Sequence, residues 1–417
     1  MGKFKINGGN RLYGELKVNG AKNSVLPILA ASILNEGISV IHDCPKLKDV
    51  YSMIEILEHL GCKITFKGRD IIVDARDVKD SEIPDSLMRT MRSSIFLMGA
   101  LISRNKKALM SFPGGCDIGH RPIDLHLKGL RRLGVKIEES YGYIKCEGGK
   151  IRGNEIHLDL PSVGATENIM LAAVKAEGIT IIRNAAKEPE IEDLQNFLNS
   201  MGAKISGAGT NTIIIEGVKR LHDAEYTIIP DRIVAGTYLC AAAMTRGELT
   251  VVNALKEHLE PLLSKLRETG CEIHAGNDYI KIIGDKRPKA VDMIVTLPYP
   301  GFPTDLQPQM VSVLSVADGT SIVTETIFDN RFKYTEELIR MGADIKVDGR
   351  VAVIRGVEKL MGAKVVARDL RGGAALIIAG LGAVGATIVE EAEHIDRGYE
   401  SIEKALKSVG GDIVRIM

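Results

Sequence analysis

One phrase recurs six times along this 417-residue chain: LEHLGCKI, LRRLGVKI, LNSMGAKI, LRETGCEI, LIRMGADI and LKSVGGDI. Its glycines, Gly61, Gly134, Gly202, Gly270, Gly342 and Gly410, lie 73, 68, 68, 72 and 68 residues apart. A period that steady limits the fold before any other property is weighed, since each repeated unit must bury its apolar face against its neighbours. The phrase reads as the end of an amphipathic helix, a glycine in the left-handed conformation, and a strand.

About 24 residues before most of these glycines stands another, Gly37, Gly178, Gly247, Gly319 or Gly385; the second unit has RNKKALM instead. Each is expected to close a second kind of helix, apolar nearly all round, as in VLPILAASIL, IMLAAVKA and AALIIAGLGAV. A helix with no polar face must be surrounded by protein. Each unit is therefore a buried helix, a strand, a surface helix and further strands, and complete sheathing of the inner helices favours two closed groups of three over one solenoid. The expectation is an α/β fold of two inside-out barrels with βαβαββ-type units, the first spanning 22–228 and the second 229–417. Residues 1–21 carry strand patterns, FKI and GELKV, that could pair with either group.

Function tends to sit where a repeat is broken. Fourteen or fifteen residues before the turn glycines stand Lys22, Val163 or Gly164, Arg232, Asp305 and Arg371, with Arg92 near the same place in the second unit. All are expected at the start of a buried helix, where unpaired N–H groups and the helix dipole favour anions. A charged residue there is often a plain cap. Basic residues at the positive end are electrostatically disfavoured unless an anion joins them, so Lys22, Arg92 and Arg371 around the single carboxylate Asp305 point to an anionic ligand in a cleft between the groups.

Lys plus Arg and Asp plus Glu both number 54, so no global field recruits nucleic acid or an anionic membrane. The six cysteines are at least 18 residues apart, which excludes zinc-type spacing and suits a reducing cytoplasm. No signal peptide or membrane span is read, and no metal-binding pattern. GLGAVG, 380–385, imitates a dinucleotide fingerprint but leads from helix to strand, the wrong way round. Cys116 differs from the other cysteines: it lies in SFPGGCDIGHRPIDLH, where Arg121 and His120 would lower its pKa and Asp117 would oppose them. Such a thiol can be a nucleophile or a general acid.

The segments GAKNSVLPIL, PKLKDV, PGGCDIGHRPIDLH, SVGAT, NAAKEPEI, PDRIVAGT, FPTDLQPQ, FDNRF, DLRGGAAL and HIDRGYE resemble, in order and along essentially the whole chain, the enolpyruvyl transferases, and within them the branch acting on UDP-N-acetylglucosamine. The resemblance implies two inside-out α/β barrels with the active site in the interdomain cleft, the N-terminal segment completing the second. It implies transfer of the enolpyruvyl group of phosphoenolpyruvate to the 3′-hydroxyl of UDP-N-acetylglucosamine with release of phosphate, the first committed step of peptidoglycan synthesis.

By position in the family motifs, Cys116 is the acid that protonates C3 of phosphoenolpyruvate and can carry a covalent adduct, and Asp305 takes the hydroxyl proton. Lys22, Arg121, Arg371 and Arg397 hold phosphoenolpyruvate. The nucleotide sugar is met by Asn23, Arg92, Arg121, Pro122, Ile123, Asp124, Leu125 and His126. Ser162, Val163, Gly164, Asp305, Ile327, Phe328 and Arg331 complete that surface. No cofactor is implied, phosphoenolpyruvate being a co-substrate, and the partners are these small molecules. Leu160 departs from relatives that carry lysine there. The alternatives are transfer to 3-phosphoshikimate, against which Cys116 argues, and a non-catalytic nucleotide-sugar sensor on the same scaffold.

Overall fold

The computed structural model describes residues 2–114, 118 and 122–416. They divide into two compact units: the first holds 20–114 and 122–229, the second 2–19, Ile118 and 230–416. Each is built around three buried helices. In the first unit these are Lys22–Ser32, Phe96–Asn105 and Val163–Ala173, and in the second Arg232–Thr245, Gln307–Leu314 and Leu370–Gly382. Their side chains form the centre of one hydrophobic core per unit. Close approach of the helices depends on small residues: a Cβ on Gly99 would stand 2.2 Å from the Asn168 carbonyl oxygen of the neighbouring helix.

The six turn glycines all have positive φ, between 90° and 105°. The residue after each donates its N–H to the carbonyl of a leucine four positions before the glycine: Cys62 to Leu57, Val135 to Leu130, Ala203 to Leu198, Cys271 to Leu266, Ala343 to Leu338 and Gly411 to Leu406. This is the six-to-one bond of a Schellman turn, which satisfies a helix-end carbonyl and needs a residue without a Cβ penalty at the left-handed position. All six leucines are buried, so the phrase stops the helix and anchors it in the core together.

The second glycine set divides. Gly178, Gly319 and Gly385 have positive φ, but Gly37 and Gly247 do not. Arg246 takes the left-handed position before Gly247, and the helix Lys22–Ser32 ends five residues ahead of Gly37. At Gly247 the glycine is needed for space instead, since a Cβ would lie 2.2 Å from the Leu12 carbonyl oxygen. In the second repeat, Lys106 is left-handed at φ 60° where the others place glycine.

Each repeat owns a four-stranded sheet. In the first, strand Ala224–Thr227 runs parallel to Ile38–His42, which pairs with Asp70–Asp74, which pairs with Lys63–Lys67. The last strand made by the first unit thus seals its first sheet. The second unit uses the N-terminal segment for the same purpose. Tyr13–Lys17 runs parallel to Glu248–Val252, and Lys3–Asn7 inserts between Ala386–Glu390 and Asp412–Ile416, antiparallel to both. Phe4 and Ile6 on this inserted strand are fully buried while Lys3, Lys5 and Asn7 face outward, the period-two pattern of a half-buried strand.

Candidate active site

In the first unit, Lys22 is the first residue of its buried helix, as the register predicts. Its ammonium is 2.7 Å from the Asp49 carboxylate, and both side chains are nearly buried. Asp49 opens the surface helix Lys48–His59 and was not singled out from the sequence. Asn23, one residue on, is exposed. Arg92 begins the short 3₁₀ turn Arg92–Ile95 that leads into Phe96–Asn105.

Ser162 caps the third buried helix, its hydroxyl accepting from the Ala165 N–H at 3.3 Å. Val163 and Gly164 are its first helical residues, half-buried, with no described acceptor for their N–H groups. Gly164 leaves room for its neighbour, since a Cβ there would lie 3.0 Å from Cε1 of buried His126 and the ring would have to shift. His126 is held in turn by Asn168, whose amide nitrogen is 3.0 Å from Nδ1 and donates to the Ile95 carbonyl at 2.9 Å. The Asn168 oxygen accepts from the Gly99 N–H at 2.6 Å. One amide therefore ties the middle of Val163–Ala173 to the starts of two other helices, Phe96–Asn105 and Asp124–Arg132. Pro122 and Asp124 are exposed, Leu125 is half-buried, and Ile123 is buried in the core.

In the second unit, Asp305 lies in the 3₁₀ turn Thr304–Leu306 that runs into Gln307–Leu314. Each of its oxygens meets a guanidinium: Oδ1 accepts from Arg331 at 2.8 Å and Oδ2 from Arg371 Nε at 3.2 Å. The two arginine side chains are only 2% and 3% exposed, against 29% for Asp305, so the carboxylate is the accessible member of the set. Arg371 is the second residue of its helix, whose cap Asp369 accepts from the N–H groups of Arg371 and Gly372. Its guanidinium stands 5.4 Å over the Tyr399 ring. Burial works against its charge, but Tyr399, Asp305 and Asp231 outweigh it and hold its pKa above the usual arginine value. Nη1 of Arg371 and Nε of Arg331 are buried without a described hydrogen-bond acceptor.

Arg331 also bonds the Thr304 carbonyl at 3.2 Å and lies 5.9 Å over the Phe328 ring. Ile327 is exposed and Phe328 half-buried on the loop after strand Thr320–Thr324. Arg397 ends the 3₁₀ segment Ala392–Arg397 and is half-buried. The structure thus brings Asp305, Arg331 and Arg371 into direct contact, with Phe328 beside Arg331. Cys116 and Arg121, with Asp117 and His120, lie outside the described residues. The other five cysteines are buried free thiols, and burial pushes Cys44, Cys62 and Cys146 up to about 12. Among the described residues no group of three or more His, Cys, Asp or Glu is placed to hold a metal ion, and no helix is long and apolar enough to cross a membrane.

A family model described as EPSP synthase (3-phosphoshikimate 1-carboxyvinyltransferase) matches residues 6–406. A protein of Caldanaerobacter subterraneus subsp. tengcongensis named UDP-N-acetylglucosamine 1-carboxyvinyltransferase 2 is 85% identical over 417 residues, all of both chains. One from Symbiobacterium thermophilum, named UDP-N-acetylglucosamine 1-carboxyvinyltransferase 1, is 53% identical over 99% of this chain and 95% of its own. Among solved structures, the enolpyruvyl transferase NikO of Streptomyces tendae matches with a TM-score of 0.90 at 26% identity, covering 99% of this chain and 98% of that one. EPSP synthase of Acinetobacter baumannii shares the fold at a TM-score of 0.81 and 18% identity, with both chains fully covered.

Proposed function

The chain belongs to the EPSP synthase family of enolpyruvyl transferases, and from that premise we propose that it transfers the enolpyruvyl group of phosphoenolpyruvate to the 3′-hydroxyl of UDP-N-acetylglucosamine, releasing phosphate. The observation that carries the choice of acceptor is the 85% identity, over both full lengths, to a relative named for that reaction. The family model's own description names 3-phosphoshikimate, but the relatives at 53% and 85% identity carry the nucleotide-sugar name. Such a step belongs to cell-wall precursor synthesis in the cytoplasm.

The reaction adds a proton to C3 of phosphoenolpyruvate and the sugar oxygen to C2, giving a tetrahedral intermediate; loss of phosphate from C2 and of a proton from C3 then yields the enol ether. It needs an acid, a base for the hydroxyl proton and a fixed cationic cradle. Cys116 is the acid in this reading and the site of any covalent adduct, and no cofactor takes part. Asp305 is the base. Both of its oxygens are engaged by guanidinium groups, which favour the ionised form, so it takes a proton more readily as one of them is drawn away. Arg371 has a donor to offer for that exchange: Nη1 is buried and lacks a described acceptor, a demand that a phosphate or carboxylate oxygen would meet. Lys22, Arg121 and Arg397 complete the cradle. Asn23, Arg92, residues 121–126, Ser162, Val163, Gly164, Ile327, Phe328 and Arg331 take the nucleotide sugar.

The test is phosphate release from phosphoenolpyruvate with each acceptor supplied in turn. Release with UDP-N-acetylglucosamine and none with 3-phosphoshikimate is expected. Release with 3-phosphoshikimate alone would reverse the assignment, and nucleotide-sugar binding without release would favour a sensor.

A further inference from the structure

Glu325 follows strand Thr320–Thr324 and is fully buried, yet no cation is recorded against it among the described residues. Four neutral donors surround it instead. Oε1 accepts from the Thr296 hydroxyl at 2.8 Å, the Ile327 N–H at 2.8 Å and the Phe328 N–H at 3.2 Å. Oε2 accepts from the Thr304 hydroxyl at 2.9 Å. A buried carboxylate costs solvation energy that only well-made bonds offset, and here all the bonds come from three separate pieces of chain. Those pieces are the end of strand Met293–Val295, the loop carrying Ile327 and Phe328, and the 3₁₀ turn carrying Asp305.

The attachment to Asp305 is short. Thr304 is its chain neighbour, and Arg331 grips both the Thr304 carbonyl and the Asp305 carboxylate. On the other side, the amides of Ile327 and Phe328 have no freedom to turn away while one oxygen accepts both. Thr326 adds a second fastening between loop and strand, its N–H donating to the Thr296 hydroxyl at 2.9 Å. An alanine or apolar residue at 325 would leave two amides and two hydroxyls to find other partners.

We propose that Glu325 is a positioning residue that locks the Asp305 turn and the Ile327–Phe328 loop into one rigid piece, so that the proton acceptor keeps a fixed register to the segment that meets the nucleotide sugar. The inference rests on the function proposed above and adds a residue to it. It separates two roles within one carboxylate: Oε2, through Thr304, sets the base, and Oε1 sets the sugar contact.

The experiment is a double-mutant cycle on the full chain, with steady-state and single-turnover phosphate release beside thermal unfolding. Thr304→Val cuts only the Oε2 attachment, and is expected to lower kcat about tenfold or more while KM for UDP-N-acetylglucosamine stays within about twofold, since small misplacements cost rate steeply. In an Asp305→Asn background the same substitution is expected to cost nothing further, because the group it positions is already disabled. Glu325→Ala is expected to lose both kcat and affinity. Glu325→Gln recovers most of each, its oxygen serving the two amides and its amide nitrogen donating to Thr304. Losses that multiply in the Asp305→Asn background, or a Thr304→Val protein in which Tm, kcat and KM all worsen together, would show a merely structural bond and overturn the inference. If the unsubstituted protein releases no phosphate with the nucleotide sugar, the proposed function fails and takes this inference with it.

Discussion

The two units present opposite charge arrangements at their buried helix starts. In the first, Lys22 is set against Asp49, one cation and one anion at 2.7 Å. In the second, a single carboxylate, Asp305, is shared by Arg331 and Arg371, leaving a local excess of one positive charge. The cations of both sets are buried, so neither is screened as a surface pair would be. The difference teaches that buried cations at helix starts are not equivalent in how much charge they offer an anion. Where a carboxylate neutralises the cation, the pair orients a donor; where cations outnumber carboxylates, an added anion is stabilised.

Substitution can break that contrast. Arg371→Gln removes the excess charge and should lower kcat/KM for phosphoenolpyruvate on the order of 100- to 1000-fold, the scale for losing a preorganised donor at developing charge. A loss below about tenfold in the release assay would mean that the excess has no part in binding or rate. The neutral pair should behave differently. Lys22→Met leaves Asp49 buried beside an apolar chain and is expected to destabilise the protein by about 3–5 kcal/mol, much of which Lys22→Met with Asp49→Asn should recover. Denaturant unfolding checks this, and equal stability of the single and double variants would contradict it.

A pH effect separates the units further. Glu167 sits one turn into Val163–Ala173, wholly buried with no partner for Oε2 among the described residues; burial first, then Glu190 and Glu188, hold its carboxyl well above the usual range. The folded form keeps a proton that the unfolded chain releases above its ordinary value of 4.5. The stability it contributes is full below that value and lost as pH rises through the folded pKa. Glu167→Gln removes the titration, so its Tm should vary less with rising pH than that of the unsubstituted protein. Parallel Tm curves would assign the effect elsewhere. The smallest effects concern the turns. Gly342→Ala meets no steric neighbour but must hold φ near 94°, and should cost about 1–2 kcal/mol, whereas Lys106→Gly relieves the same conformation and should gain up to about 1 kcal/mol.

These turns also explain what could be read in advance. The six glycines were legible because a left-handed residue after a helix leaves few choices, and the fold class followed from their spacing. Gly37 and Gly247 misled because glycine also serves close packing, which one chain of letters does not separate from turn geometry. The partner of the N-terminal strands stayed open, since strand pattern carries no address. At the site, helix starts marked Lys22, Asp305 and Arg371, but their partners lie elsewhere in the chain. Asp49 was hidden among ordinary surface-helix residues, and Asn168 among apolar ones. Glu325 left a usable trace: Ser321, Val323 and Glu325 share the inward parity of their strand, and a carboxylate on that face is out of place unless it has a task.

The inserted strand Lys3–Asn7 imposes an order on birth. It pairs residue by residue with Asp412–Ile416, so a strand made early must wait through the synthesis of everything between before its sheet is whole. The first unit has no such delay, because Ala224–Thr227 closes it long before Asp412–Ile416 is made. A nascent chain therefore carries a finished domain and an unsatisfied apolar strand at the same time, and Phe4 and Ile6 stay in need of shelter until Asp412–Ile416 has emerged.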